Sequence, residues 1–242
     1  MFRKKPQPTT HEQQQAQQIA QLTASRRAIA DAYEVERARI PAAGQFRRIG
    51  EAARALFIEK GFDDATTREI ALRAGVGIGT VFTYAENKRD LLFLIANDDL
   101  DEVSRKAELG LREDASCLDN LLGFFRHHYR FFAKQPELSR LLLREMTFYD
   151  AGRQAKRFQE TRERNIRAVG RIVQMAASRG ALRLAEEPDF AGWVAFCVFQ
   201  VELRRWLTGR TLNLAEGMAR LERALRVCMA GWGAKPEALA RR

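Results

Sequence analysis

The stretch from Thr66 to Leu92, TTREIALRAGVGIGTVFTYAENKRDLL, gathers the side chains whose types and spacing could hold a polyanion. Thr66 with Glu69 three residues on has the spacing of a capping box, so a helix should begin at Thr67. The free N–H groups and positive dipole of such a helix end favour an anion, which puts Thr66, Thr67 and Arg68 within reach of a phosphate. Lys88, just after the capping residue Asn87, opens a further helix and offers the same chemistry from the other side. Between these ends a second helix is expected from Ile78 to about Tyr84, with Gly77 as its cap. Its exposed face should carry Gly77, Ile78, Thr80, Thr83 and Tyr84, leaving Val81 and Phe82 to the core or partial core. The threonines can hydrogen-bond a base edge or pack on a thymine methyl, whereas Ile78 can sense only shape and methyls.

These residues need a scaffold. Ile70, Ala71 and Ala74 form a short apolar face at helical spacing, Gly75 stands where that helix should stop, and Val76 is expected to plug the turn. Helix, short glycine turn, helix is the unit whose second member enters the major groove of DNA. A preceding helix from about Gln45 to Lys60, with Phe46, Ile49, Ala53, Leu56 and Phe57 on one stripe, should hold the pair in place, and Gly61 ends it. A longer helix from Lys88 to about Leu109 follows, burying Leu91, Leu92, Leu94, Ile95, Leu100 and Val103.

Other chemistries find little support. Gly75, Gly77 and Gly79 alternate, but no strand precedes them and no Gly-Lys-Ser/Thr follows, so a nucleotide-cradling loop is not expected. His127 and His128 are adjacent on a helix and point about 100° apart, a poor arrangement for one metal. No partnered nucleophile or acid stands at a catalytic spacing. Cys117, Cys197 and Cys228 are far apart in apolar surroundings, which fits buried free thiols and neither a disulfide framework nor a zinc site. No enzyme, cofactor or metal is expected.

The 242 residues suffice for a sizeable core, and 46% of them are hydrophobic. The abundance of Ala, Leu, Arg, Glu and Gln with only 6 prolines favours helix throughout. A net charge of +10 suggests a polyanionic partner, although the Thr66–Leu92 region is itself nearly balanced. Much of the excess sits in RQAKRFQETRERNIRAVGR, whose arginines read mostly as a solvated helix face. The N-terminus lacks the apolar segment of a secretory signal, and no apolar run is long enough to span a bilayer; a soluble cytoplasmic protein without membrane association is expected.

One family shares these landmarks in register: Ile49, Ala52-Ala53, Leu56-Phe57, Glu59-Lys60-Gly61-Phe62, Thr66-Thr67, Ile70-Ala71, Ala74-Gly75-Val76, Gly79-Thr80, Lys88 and Leu91-Leu92. From Arg47 to Leu92 the chain resembles the N-terminal domain of TetR/AcrR-type transcriptional regulators. It departs from the usual pattern at Gly77, commonly a serine, at Phe82, commonly a tyrosine, and at Tyr84-Ala85, commonly His-Phe. The resemblance implies an all-α protein: a three-helix DNA-binding domain with a helix-turn-helix, linked to a larger helical dimerisation and ligand-binding domain. It also implies a repressor acting as a homodimer on a pseudo-palindromic double-stranded DNA operator, released by a small effector. A DNA-binding regulator without small-molecule response, or an all-helical enzyme or scaffold, is the alternative.

The expected organisation is a polar extension over residues 1–44, a DNA-binding domain over 45–104 with its motif at 66–85, and a regulatory and dimerisation domain over 105–242. Arg3, Lys4, Lys5, Arg26 and Arg27 would make the extension either a basic arm along DNA or a flexible tail. Helices are expected over Leu118–Lys134, from Pro136, over about Gly152–Ser178, from Pro188 to about Thr208, and over Leu214 to about Trp232. The last two, about 190–207 and 214–232, are apolar on more than one face, which in the family corresponds to a four-helix dimer interface. Phe124, Phe125, His128, Tyr129 and Phe132 form the stripe where an apolar effector would bind, although core packing also explains such a stripe.

Overall fold

The computed structural model describes residues 43–231, together with Ala24. The expected basic arm and Trp232 therefore lie outside the described residues. Residues from Gly44 onward form one compact unit, and among the described residues it is all helix. The helices are α1 (Ala43–Glu59), α2 (Thr67–Ala74), α3 (Ile78–Tyr84), α4 (Lys88–Leu109), α5 (Cys117–Lys134), α6 (Pro136–Glu145), α7 (Ala155–Ser178), α8 (Pro188–Leu207) and α9 (Leu214–Gly231). No helix among them is long and apolar enough to cross a membrane.

Side-chain caps start several of these helices. Asn87 Oδ1 accepts from Asp90 N at 2.8 Å to start α4, and Ser116 Oγ accepts from Asp119 N at 3.0 Å to start α5. Pro136 and Pro188 occupy first-turn positions, where a missing N–H costs nothing. Two boundaries are set by local backbone conformation. Met146 leaves the helix for a single 3-10 turn, Met146–Phe148. α7 starts at Ala155 rather than Gly152, because Gly152 takes a φ of +126°, a conformation that leaves the helix.

The body is built on two contacts made by α7. Along α4 it forms a ladder of ion pairs at a seven-residue repeat. Arg157 reaches Asp98 and Asp101 at 2.6 and 2.7 Å, Arg164 approaches Asp101 at 3.5 Å, and Arg171 reaches Glu108 at 2.7 Å. Asp101 and Glu108 are buried, so these arginines are not a solvated face as their composition suggested. Their acidic partners sit two turns apart on the neighbouring helix. Burial pushes the Glu108 carboxyl up against the pull of Arg171. Against α8, α7 packs almost backbone to backbone, at Gly170 and Gly192. α9 then lies across α5 and α8, with Gly217 against the indole of Trp206.

Candidate functional site

The helix-turn-helix is assembled by local chemistry. Thr66 Oγ1 accepts from Glu69 N at 3.2 Å while Glu69 Oε2 accepts from Thr66 N at 3.0 Å, completing the capping box. Lys60 reaches Glu69 Oε1 at 2.5 Å, and Lys60 with Thr66 holds that carboxyl down to about 2. Gly75 adopts φ +64° and its N–H, with that of Val76, closes the last turn of α2. Arg73 grips Glu59 with both guanidinium nitrogens at 2.5 and 2.7 Å, tying α2 to α1. Ile70 on α2 and Val81 on α3 are fully buried, and Val81 is the one buried residue of α3, so α3 is held by one side only.

The expected contact residues divide into three groups. Arg68, Gly77, Ile78 and Thr83 are exposed, and Arg68 has no ion-pair partner among the described residues. Thr67 and Thr80 are half-buried beside them. Thr66 is exposed but its hydroxyl is committed to Glu69. Lys88 is also partly committed: its Nζ donates to Asp63 O at 2.7 Å and lies 4.9 Å from the centre of the Phe62 ring. Tyr84 does not stand on the outward face; it packs edge-on against Phe46 with ring centres 5.8 Å apart.

Phe82, expected in the core or partly in it, is instead an exposed side chain, with 42% of its surface accessible. A seven-residue helix anchored through Val81 leaves the next position pointing outward. Arg48 was not anticipated. It is exposed on α1, has no acidic partner among the described residues, and its guanidinium comes within 3.9 Å of where a Cβ on Gly75 would lie. Only its place beside the motif's turn, which periodicity does not reveal, marks it as a candidate.

A carboxylate joins this surface to the body. Asp90 is fully buried in the first turn of α4. It accepts from Glu86 N, Arg153 N and Gln154 N, each at 2.9 Å, and from the Tyr149 hydroxyl. Gln154 Nε2 donates to Tyr84 O, the last carbonyl of α3, at 3.0 Å. The loop 149–154 thus touches both α4 and the end of α3. Burial and then the Asp90 hydrogen bond push the Tyr149 phenol well above its ordinary range.

Beyond that loop is a cavity of about 50 Å³, the share of roughly two water molecules. Leu100, His128, Phe132, Phe158, Asn165 and Phe199 line it. The expected pocket stripe therefore contributes only His128 and Phe132. Phe124 is buried edge-on against Phe125, Phe125 stacks on Phe199 at 4.3 Å, and Tyr129 packs on Trp206 at 4.9 Å; none of the three lines this cavity. Phe158 links cavity to loop, its ring centre 4.8 Å from Phe93, which stacks on Tyr149 at 3.7 Å. Arg162, on the same wall, has no acidic partner among the described residues, and it adds to burial in pushing Arg204 down.

His128 Nδ1 lies 3.2 Å from Phe124 O; a carbonyl can only accept, so this nitrogen carries the hydrogen and Nε2 is left as a buried acceptor. Burial lowers the imidazole from 6.5 to about 4, so it is neutral at pH 7. The folded state binds fewer protons than the unfolded one between these values, so stability is lost as pH falls from 6.5 towards 4. The loss amounts to about 3 kcal/mol. Urea unfolding across this window should show it in the wild type and a flatter profile in His128→Gln.

A tight helical pair offering one half-exposed helix, set on a larger helical body, is the arrangement of a helix-turn-helix unit. Residues 49–95 match the family described as bacterial regulatory proteins, tetR family. That likeness covers most of α1, the helix-turn-helix and the first turns of α4. The fatty acid metabolism regulator protein of Bacillus subtilis is 25% identical over 95 residues, 39% of this chain and 49% of that protein, so the match spans about half of the relative's length. Thermus thermophilus FadR, a repressor solved in complex with lauroyl-CoA, superposes with a TM-score of 0.60 at 24% identity over 78% of this chain and 96% of that one. Bacillus subtilis FadR in complex with stearoyl-CoA gives 0.61 at 18% identity, covering 77% and 98%. These likenesses show the fold, which extends through the body as well as the DNA-binding domain.

Proposed function

We propose that the protein is a ligand-responsive transcriptional repressor that binds a pseudo-palindromic operator as a homodimer. The capped, Gly75-terminated α2 set against α3 carries this reading, because it leaves the outward side of α3 free for a major groove. Arg68 and Arg48 stand beside it with no acidic partner among the described residues and serve as phosphate contacts. The dimer forms through α8 and α9, whose outer faces expose Phe190, Trp193, Val201 and Val227. α4 of each protomer sets the spacing of the two recognition helices.

The effector enters among α4, α5, α7 and α8. Its class is a long-chain acyl thioester or a similar amphiphile, a reading supported by the apolar lining, by Arg162 at the wall, which has no acidic partner among the described residues, and by the two acyl-CoA complexes of the same fold. Such a molecule exceeds the cavity, so binding displaces α7 or α8. Because α7 is bonded to α4 by the arginine ladder, the displacement is passed to the DNA-binding domain. The coupling is reciprocal: operator binding weakens the effector by the same factor.

The test is DNA binding by the full chain to duplexes it selects from a random pool, followed by a salt titration. Affinity should fall steeply with salt. Arg68→Ala should weaken binding to all sequences and reduce the logarithmic salt slope by about 1 per protomer. Absence of any enriched duplex, or binding indifferent to salt, overturns the reading.

A further inference from the structure

We infer that the recognition helix reads its operator through the C5-methyl groups of thymine, with Ile78 and Phe82 as the specificity-determining side chains. The inference rests on the DNA-binding function proposed above. Base pairs are told apart in the major groove by a few side-chain chemistries: Arg or Lys on guanine, Asn or Gln on adenine, Asp or Glu on cytosine, and apolar contact on the thymine methyl. α3 is IGTVFTY and contains none of the first three sets.

Of its three hydroxyls one is hydrogen-bonded within the helix, and the other two belong to half-buried side chains. Thr83 Oγ1 donates to Gly79 O at 3.2 Å, which turns that hydroxyl back along the helix. Thr80 is half-buried, Tyr84 is turned onto Phe46, and Val81 is fully buried. What remains is apolar. Ile78 is 44% exposed and Phe82 is 42% exposed, and at four residues apart they lie on one side of the helix. A Cβ at Gly79 would meet nothing within 4 Å, so the helix face beside this pair is bare backbone. Phe82 has no hydroxyl with which to bond a phosphate. An exposed apolar pair flanked by bare backbone fits the one apolar feature that the major groove displays.

Removing a methyl group from DNA while keeping its hydrogen-bond pattern is a direct test. Duplexes enriched by the full chain are resynthesised with deoxyuridine replacing thymidine, one position at a time, and affinities are measured by fluorescence anisotropy. A contacted methyl is worth about fourfold in affinity, and about fifteenfold when both half-sites are changed, from the transfer free energy of one buried carbon. The expected result is a loss of this size at one or two thymines in each half-site and none elsewhere. In Ile78→Ala or Phe82→Ala the ratio between the thymine and uracil duplexes should fall towards one at the matching position, while Phe82→Leu should keep part of it. Equal affinities at every position overturn the inference, as does a uniform loss at all positions or a ratio unchanged in both alanine variants. In these outcomes the enriched duplexes still bind, so the proposed function stands without the inference. Failure to enrich any duplex overturns both.

Discussion

Asp90→Ala is expected to lower the stability of the protein by about 3–5 kcal/mol, read as a shift of the urea midpoint at unchanged slope. The carboxylate occupies a position with no access to solvent and accepts from three backbone N–H groups and a phenol. Alanine strands all of these donors at once, and buried donors without partners lose hydration that nothing replaces. Asparagine restores the volume but turns one acceptor into a donor facing other donors, so Asp90→Asn should recover little. Tyr149→Phe removes one donor and leaves the acceptor with three, so a smaller loss is expected. Gln154→Ala removes the hydrogen bond to Tyr84 O from a half-buried side chain and should cost about 1 kcal/mol. The order Asp90→Ala, Asp90→Asn, Tyr149→Phe is the signature of a shared acceptor; equal losses from all three would instead indicate simple packing.

The same carboxylate explains a conformation that local sequence rules do not. Gly152 lies at φ +126°, and a Cβ there would stand 2.7 Å from Asp90 Oδ1. Glycine at this position lets the loop close over the acid. Since the loop also bonds the end of α3, the recognition helix is positioned by residues of the body more than sixty positions away in sequence.

This separation marks what could be read from the sequence. Thr66 with Glu69, Asn87 before Lys88, and Gly75 act within one helical turn, so the start, stop and order of the motif were legible to within a residue or two. Side-chain direction in α3 was not. Val81 and Phe82 are adjacent and both apolar, and periodicity over seven residues cannot say which is the anchor. The aromatic stripe on α5 was legible as buried. Which of its members meet a neighbour and which meet a cavity depends on Phe199 and Trp206, on a helix distant in sequence. Arg157, Arg164 and Arg171 share a seven-residue spacing that Asp101 and Glu108 repeat on α4. The spacing was present in the sequence, but only the pairing of the two helices shows its use.

Gly192→Ala is expected to destabilise the protein, against the usual direction of glycine-to-alanine exchange inside a helix. Intrinsic propensity favours alanine by about 1 kcal/mol. At Gly192 a Cβ would fall 2.5 Å from both Cα and N of Gly170 and 3.0 Å from the carbonyl carbon of Val169. These are backbone atoms of a long helix, so no side-chain rotation relieves the overlap and α8 must move away from α7. Overpacking of this kind costs about 1–3 kcal/mol, and the β-branched Gly192→Val should stand at or beyond the upper end. Gly123→Ala provides the control: it lies within α5, a Cβ there meets nothing within 4 Å, and it should stabilise by up to about 1 kcal/mol. Opposite signs at two helical glycines would show that close approach, rather than helix propensity, decides. The consequence reaches beyond stability, because Trp193 and Val201 lie on the outer side of the same helix. If α8 contributes to the dimer interface, moving it off α7 misplaces that face, and Gly192→Val should elute as a monomer at concentrations where Gly123→Ala remains a dimer. An unfolding midpoint for Gly192→Ala at or above that of the wild type would show that α7 and α8 can part without cost at this crossing.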